Sequence, residues 1–273
     1  PPALPLTIPA PEHALARVVW EWTDGFGLLS GNKRLLPVDL VRRRAQRSEW
    51  SPDLLRATST GLACGNTRDE ALLHALFEIV ERDVLFRDEQ VGGQRRSHID
   101  PATVKDPHGR DVIDRLAAAG MRLDIALVNG PYAVPVCVAY LWSEDYPVVF
   151  AGGGCHLDTA IALTRAMTEA AQSRLTAIAG TRDDLPSDPG SFDTPPLHPA
   201  TTKGLMPWPE ATASYSPPDR SFTDQVAAVA RRIAAVTGHE PVALDLSGPA
   251  APVHAVHVVC PGARSRIRRS MPR

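Results

Sequence analysis

The sequence lacks the features of a secreted, membrane-spanning or nucleic-acid-binding protein. Its four cysteines are far apart and form no C-x-x-C pair, so neither a disulfide framework nor a zinc ribbon is indicated. No apolar run approaches the roughly eighteen residues of a membrane helix, and the N-terminus has no signal-peptide profile. Lys and Arg number 29 against 31 Asp and Glu, a net charge of -2 that gives no reason to expect nucleic-acid or anionic-membrane binding. We therefore expect a cytoplasmic protein.

The chain is long enough for one large domain or two small ones: it has 273 residues, of which 44% are hydrophobic. Five prolines near the start predict an extended lead-in over residues 1–17, followed by the main domain over 18–262. Residues 185–219 hold nine of the 26 prolines and are expected to form a long loop. Five of the last ten residues are Arg, so 263–273 is a basic tail, more typical of a solvated terminus than of an interaction arm.

Strand and helix patterns mix along the chain without regular alternation. This order predicts an α+β fold in which mixed or antiparallel sheets pack with long helices. The predicted strands are 18–23 and 35–41 around a turn at 24–27, then 122–128, 134–141, 148–154 running into a glycine turn, 241–246 and 253–259. The predicted helices are 67–88, with Thr67 and Glu70 as a capping box, 111–119, 158–178 and 221–236.

The helix predicted over 67–88 has a narrow polar strip on an otherwise apolar surface. At 3.6 residues per turn, the strip contains Glu70, His74, Glu78, Glu81 and Arg82; we call it the first strip. The apolar remainder predicts that the helix is largely buried. Buried carboxylates need cations or hydrogen-bond donors, and one Arg cannot neutralise three Glu. A bound Mg²⁺ would supply the missing charge.

The helix predicted over 158–178 repeats this pattern. Arg165, Glu169 and Gln172 lie within one arc, the second strip. Together the two strips offer oxygen ligands suited to a hard cation and guanidinium groups suited to phosphate, the chemistry of a Mg²⁺-nucleotide site. An internal salt-bridge network between two core helices explains the same spacing equally well, and both interpretations stay open at this point.

Both helices are entered through glycines, at 61–65 and 152–154. Exposed N–H groups at such turns suit phosphate, although most glycine turns are connectors, and the absence of a following Gly-Lys-Ser/Thr excludes a P-loop. The adjacent Cys155 and His156 are poorly placed to act as nucleophile and base on a turn. His74 is expected to be a structural histidine beside Glu70 and Glu78 rather than a ligand.

Two long blocks of the sequence resemble YcaO-domain proteins. The block STGLACGNTRDEALLHALFEIVERD, from Ser59 to Asp83, resembles the family signature, and GGGCHLDTAIALTRAMTEAAQSRL, from Gly152 to Leu175, resembles its second block. The similarity runs from Trp20 to Gly262. The sequence of residues 172–184 resembles that of the subgroup encoded beside TfuA-type proteins.

This resemblance implies an ATP-binding fold that phosphorylates the oxygen of a peptide-backbone amide, so that a nucleophile can attack the activated carbon. It places Asn66 and Glu70 on the nucleoside and Arg82 and Arg165 on phosphate, with Glu169 and Gln172 completing the site. It implies Glu78, Glu81 and Glu169 as Mg²⁺ ligands, with Glu78, Glu81, Arg82 and Glu169 as the catalytic set. The implied cofactors are ATP and Mg²⁺.

Two departures from the family pattern decide among its branches. Nothing before residue 18 resembles the family's preceding lobe, with its Gly/Lys-containing turn and Glu-bearing helix, so an incomplete ATP site is expected. The proline-rich C-terminal end of azoline-forming members is also absent, because Cys260-Pro-Gly-Ala-Arg continues into an Arg-rich run. The second departure and the resemblance of residues 172–184 favour thioamidation of a ribosomally made precursor peptide with a TfuA-like partner, whereas the first supports a degenerate module. The alternatives are an azoline-forming cyclodehydratase and a degenerate, non-catalytic scaffold; a homodimer is left open.

Overall fold

The computed structural model describes residues 11–42, 54–55, 57–180, 204–216, 221–248 and 251–265. In chain order the helices are α1 (Glu12–Leu15), α2 (Val38–Val41), α3 (Arg68–Gln90), α4 (Pro107–Ala118), α5 (Thr159–Ala179), α6 (Trp208–Ala211) and α7 (Phe222–Thr237), with a 3-10 turn at Pro101–Thr103. The strands are β1 (Trp22–Gly27), β2 (Lys33–Pro37), β3 (Leu62–Gly65), β4 (Arg96–Asp100), β5 (Arg122–Val128), β6 (Val136–Ser143), β7 (Tyr146–Cys155), β8 (Met206–Pro207), β9 (Val242–Asp245) and β10 (His254–Val259). The predicted α+β class is confirmed.

The described residues divide into two compact units. The first lies within Pro1–Asp83 and Asp219–Ser265, and the second lies within Val84–Pro218. The sheet of the first unit has the order β2-β1-β9-β10-β3, and all its neighbouring strands are antiparallel. The sheet of the second unit has the order β7-β6-β5-β4-β8, with one parallel pair, β4 and β8. The helix α3 passes from one unit into the other at Asp83.

The helix α3 begins where the cap residues predict. Thr67 Oγ1 accepts the N–H of Glu70 at 3.2 Å, and the Glu70 carboxylate accepts the N–H of Asn66 at 2.8 Å, one residue earlier than a standard capping box would have it. The apolar surface of the helix is at most 4% exposed at Leu72, Leu73, Leu76, Phe77, Ile79 and Val80. The predicted burial of this helix is therefore confirmed.

The core of the second unit packs α5 against the sheet. Its fully buried members include Leu127, Cys137, Leu141, Leu163 and Met167. The Asp158 side chain caps the first turn of α5 by accepting two backbone N–H groups, and the helix ends at a left-handed Gly180. These caps explain why the predicted bounds of this helix differ from the observed ones by one residue.

The glycine turn predicted after residue 151 is wrong, because these glycines lie inside β7. A Cβ on Gly152 would lie 2.3 Å from the carbonyl oxygen of Ala166, and one on Gly154 would lie 2.0 Å from that of Ala162. The backbone of α5 therefore rests directly on the strand. Glycine is needed for this close approach between two backbones, and not for a turn.

Other boundaries also need correction. The turn predicted at 24–27 is the second half of β1, and the chain reverses at 28–32 instead. Residues 62–65 form β3 rather than a turn. The helix predicted to start at residue 111 begins at Pro107, because the Asp106 side chain caps the N–H of Gly109 at 2.8 Å.

The predicted lead-in and loop are each partly structured. The lead-in contains α1, and the described end of the 185–219 loop contains β8 and α6. Parts of the lead-in, of the loop and of the basic tail lie outside the described residues: 1–10, 185–203 with 217–219, and 266–273. Within the described ranges, no helix combines the length and apolar character needed to cross a membrane.

Candidate functional site

Both oxygens of Glu78, a carboxylate of the first strip, are held within the chain. One oxygen, Oε1, lies 2.8 Å from Nη2 of Arg82 one turn later, and the other, Oε2, accepts the backbone N–H of Gly61 at 2.9 Å. The Glu78 side chain is 27% exposed and that of Arg82 is 43% exposed. The carboxylate is thus oriented at both oxygens while it still reaches solvent.

The turn that supplies the Gly61 N–H requires glycine. Gly61 has φ +83°, and a Cβ there would lie 2.1 Å from the carbonyl oxygen of Val258. The N–H of Val258 donates to the Gly61 carbonyl oxygen at 2.8 Å, which ties the turn to β10. The sequence left this turn as either a connector or a phosphate site, and the structure gives the Gly61 N–H a carboxylate partner.

Sequence reasoning missed His257, which is only 4% exposed on β10. Its Nε2 lies 3.3 Å from the carbonyl oxygen of Thr60, a hydrogen bond when Nε2 carries the proton. Burial lowers the pKa of His257 below its ordinary value, opposed by hydrogen bonds to the carbonyls of Thr60 and Val41 and by the charge of Glu78. A single histidine in a strand has no local signature, since its partners are distant in sequence.

Asn66 and Glu70 come together at the start of α3. The N–H of Asn66 lowers the pKa of the Glu70 carboxyl; burial opposes this shift, and the Thr67 N–H and the charge of His74 add to it. The Glu70 oxygen that caps Asn66 is therefore engaged within the chain. The predicted contact of both residues with a nucleoside stays a prediction.

The second strip lies on α5, where Glu169 contacts the edge of β7. Its Oε2 accepts the N–H of Gly153 at 3.1 Å, and one turn later the Ser173 hydroxyl donates to the carbonyl oxygen of Ala151 at 3.4 Å. Glu169 and Gln172 are exposed and Arg165 is half-buried. As in the first strip, a glycine N–H fixes one oxygen of a glutamate.

The donor chemistry can be compared with the needs of Mg²⁺. Over the described residues, no group of three or more His, Cys, Asp or Glu side chains is arranged to hold a metal ion. Mg²⁺ commonly takes one or two protein carboxylates and completes its shell with phosphate and water oxygens. Glu78 and Glu81 with Arg82 fit an ion that binds together with a nucleotide, whereas the ligand set that includes Glu169 stays a prediction.

The surroundings of Cys155 and His156 disfavour a nucleophile and base pair. Cys155 is 1% exposed, and Nδ1 of His156 accepts the N–H of Asp158 at 2.9 Å. That ring nitrogen is therefore engaged in the turn before α5.

Comparison with known proteins identifies the family of this chain. The family model described as YcaO cyclodehydratase, ATP- and Mg²⁺-binding, matches residues 5–264. An uncharacterized protein of Mycobacterium tuberculosis H37Rv is 34% identical over 257 residues, which are 90% of this chain and 57% of that protein. An uncharacterized protein of the tfuA 3' region of Rhizobium leguminosarum bv. trifolii is 32% identical over 93% of this chain and 63% of its own length. The chain thus spans less than two thirds of either relative.

Solved structures share the fold. A heterocyclase in complex with substrate and cofactor matches with a TM-score of 0.73 and 23% identity, over 90% of this chain and 33% of that one. YcaO from Methanopyrus kandleri, bound with AMPPCP and Mg²⁺, matches with a TM-score of 0.66 and 20% identity, over 94% of this chain and 71% of that one. With the family model matched over nearly the whole sequence, this chain belongs to the YcaO family.

Proposed function

We propose that this chain takes part in the ATP- and Mg²⁺-dependent activation of backbone amides in a ribosomally made peptide. The observation that carries the proposal is the Glu78 carboxylate, held by the Gly61 N–H and paired with Arg82 on a largely buried helix. An oriented, partly exposed carboxylate beside a guanidinium is suited to a metal-bound phosphate. Membership of a family whose model is described as ATP- and Mg²⁺-binding supports the same reading.

Each predicted site residue has a role in this proposal. Glu78 and Glu81 are the metal ligands proposed on the first strip, and Glu169 is the metal-ligand candidate on the second strip. Arg82 and Arg165 bind phosphate oxygens, for which the forked guanidinium is well shaped. Asn66 and Glu70 bind the nucleoside, and Gln172 completes the site. Mg²⁺-ATP, when bound, supplies the phosphoryl group for the amide oxygen.

Thioamidation with a TfuA-like partner is the reaction we favour. Its support is the relative named for the tfuA 3' region and the resemblance of residues 172–184 to the subgroup encoded beside TfuA-type proteins. Hydrosulfide delivered through the partner adds to the carbon of the amide whose oxygen is phosphorylated, and the carbon–oxygen bond then breaks as the oxygen leaves with phosphate. The net exchange is amide plus ATP and hydrosulfide to thioamide plus ADP and phosphate. The family model carries the name of a cyclodehydratase, so azoline formation is the competing reaction.

Calorimetry tests the binding step. The chain is titrated with ATP with and without Mg²⁺, beside the double variant Glu78→Gln/Glu81→Gln and the control Glu89→Gln, an exposed position on the same helix. We expect metal-dependent heat from the wild type and the control only. The melting temperature of the double variant should stay nearly the same, because the partly exposed ion pair with Arg82 contributes little and Gln can still accept the Gly61 N–H. A well-folded wild type without metal-dependent heat would leave the scaffold alternative.

Intact-mass measurement of the peptide tests the reaction. The enzyme with its partner, ATP and a sulfur source should give a product heavier by the difference between sulfur and oxygen. A product lighter by one water would instead identify azoline formation and would retain the amide activation. An unchanged mass in the complete mixture would contradict both reactions.

A further inference from the structure

A short series of contacts links His257 to Glu78. The His257 ring meets the carbonyl oxygen of Thr60 at 3.3 Å, and the next residue, Gly61, donates its N–H to Glu78 Oε2 at 2.9 Å. The neighbouring residue on the strand, Val258, donates its N–H to the Gly61 carbonyl oxygen. The strand β10 therefore holds the turn before β3 from two adjacent residues.

The position of His257 in the strand is unusual for a polar side chain. It pairs with Leu62 across the ladder between β10 and β3, and its neighbours Val256 and Val258 are fully buried on the other face of the sheet. Burying an imidazole costs free energy unless it is hydrogen-bonded, and an aliphatic side chain would avoid that cost. The bond to the Thr60 carbonyl is what an aliphatic residue could not provide.

We propose that His257 is a positioning residue, which fixes the turn at Thr60 so that the Gly61 N–H orients the carboxylate of Glu78. It acts through Gly61 and need not touch a nucleotide. This inference rests on the proposed function, because it gives Glu78 its role in binding Mg²⁺-ATP.

The test compares two substitutions of His257 with a matched core control. His257→Leu removes the ring donor, whereas His257→Gln keeps a side-chain N–H that can reach a carbonyl oxygen. The control is Val229→Ala on α7, which removes buried apolar volume from the same unit. All variants are made in the full chain and are compared only where they are folded.

Two measurements are made on each variant. Hydrogen exchange of the Gly61 amide, followed by NMR without nucleotide, reports whether its bond to Glu78 is intact. Calorimetry with Mg²⁺-ATP reports affinity. We expect His257→Leu to speed exchange at Gly61 and to weaken Mg²⁺-ATP binding about tenfold, the usual effect of losing a residue that supports a ligand. His257→Gln should restore most of both, and Val229→Ala should change neither.

Failure of the inference and failure of the proposed function give different results. If His257→Leu and Val229→Ala show the same Gly61 exchange, the positioning role is wrong, even when the wild type binds Mg²⁺-ATP. If the wild type binds no Mg²⁺-ATP, the proposed function is wrong, and exchange at Gly61 alone decides the positioning of Glu78. Faster exchange with unchanged affinity in His257→Leu would also overturn the link between this turn and the nucleotide.

Discussion

Substituting Gly154 by alanine should disrupt the packing of α5 on β7. The new Cβ would lie 2.0 Å from the carbonyl oxygen of Ala162 and 2.7 Å from the nitrogen of Ala166. Both atoms belong to the helix backbone, so no side-chain rotation relieves the overlap, and the helix must move by roughly 1 Å to reach an ordinary contact distance. Overpacking a well-filled core costs about 1–3 kcal/mol. We expect Gly154→Ala to lie at the upper end, near 3 kcal/mol.

Chemical denaturation followed by circular dichroism measures this loss. The control is Gly109→Ala in the same unit, where the nearest contact of the new Cβ is a side-chain methyl of Val104 at 3.3 Å. That position lies in α4, so alanine should be neutral or should stabilise by up to about 1 kcal/mol. If Gly154→Ala is as stable as the control, the helix backbone does not rest on the strand, and our explanation of these glycines is wrong.

Three further predictions concern buried charge, pH and thiol reactivity. Asp88→Ala should destabilise the protein by about 3 kcal/mol, because Asp88 is fully buried and its carboxylate accepts a hydrogen bond from Nε of Arg96 at 2.6 Å. In chemical denaturation, adding Arg96→Met should recover part of this lost stability, and additive losses would contradict the pairing. Burial raises the pKa of Glu240, but hydrogen bonds from Arg34 and Ser30 outweigh it and lower the pKa from 4.5. Glu240→Gln should therefore remove about 1 kcal/mol of stability that is present above pH 4.5 and disappears as the pH falls through the lowered pKa. A difference in stability between wild type and variant that persists in acid would refute this sign. A thiol reagent should label Cys64 rapidly in the native protein and the three buried cysteines only on unfolding, and fast labelling of a second thiol would contradict their burial.

Local signals in the sequence were sufficient for the long helices. The cap at Thr67 and the apolar surface of α3 are both encoded within one segment, and the structure bears them out. The strand over 122–128 matches β5 for the same reason, since its burial and propensity are local. Elements of this kind are recognisable because the residues that stabilise them are close in sequence.

Tertiary contacts explain what the sequence did not reveal. Gly152 and Gly154 look like a turn, and only the helix that packs against them shows why they lie in a strand. The role of His257 depends on Thr60, 197 positions away. The Glu78 and Arg82 pair joins two residues of one helix at i,i+4 spacing, whereas the Gly61 N–H that fixes the other oxygen comes from a turn that only the fold brings there.

The close packing of α5 on β7 also limits which substitutions sequences with this fold can accept. Gly154 faces Ala162 and Ala166. Because all three residues are already small, a larger residue at one position cannot be compensated by a smaller residue at another. A compensating pair of substitutions is therefore not accessible at these positions. Any chain that folds this way must retain the close packing of α5 on β7. Similarity at these small residues therefore reflects the architecture alone and carries no information about activity.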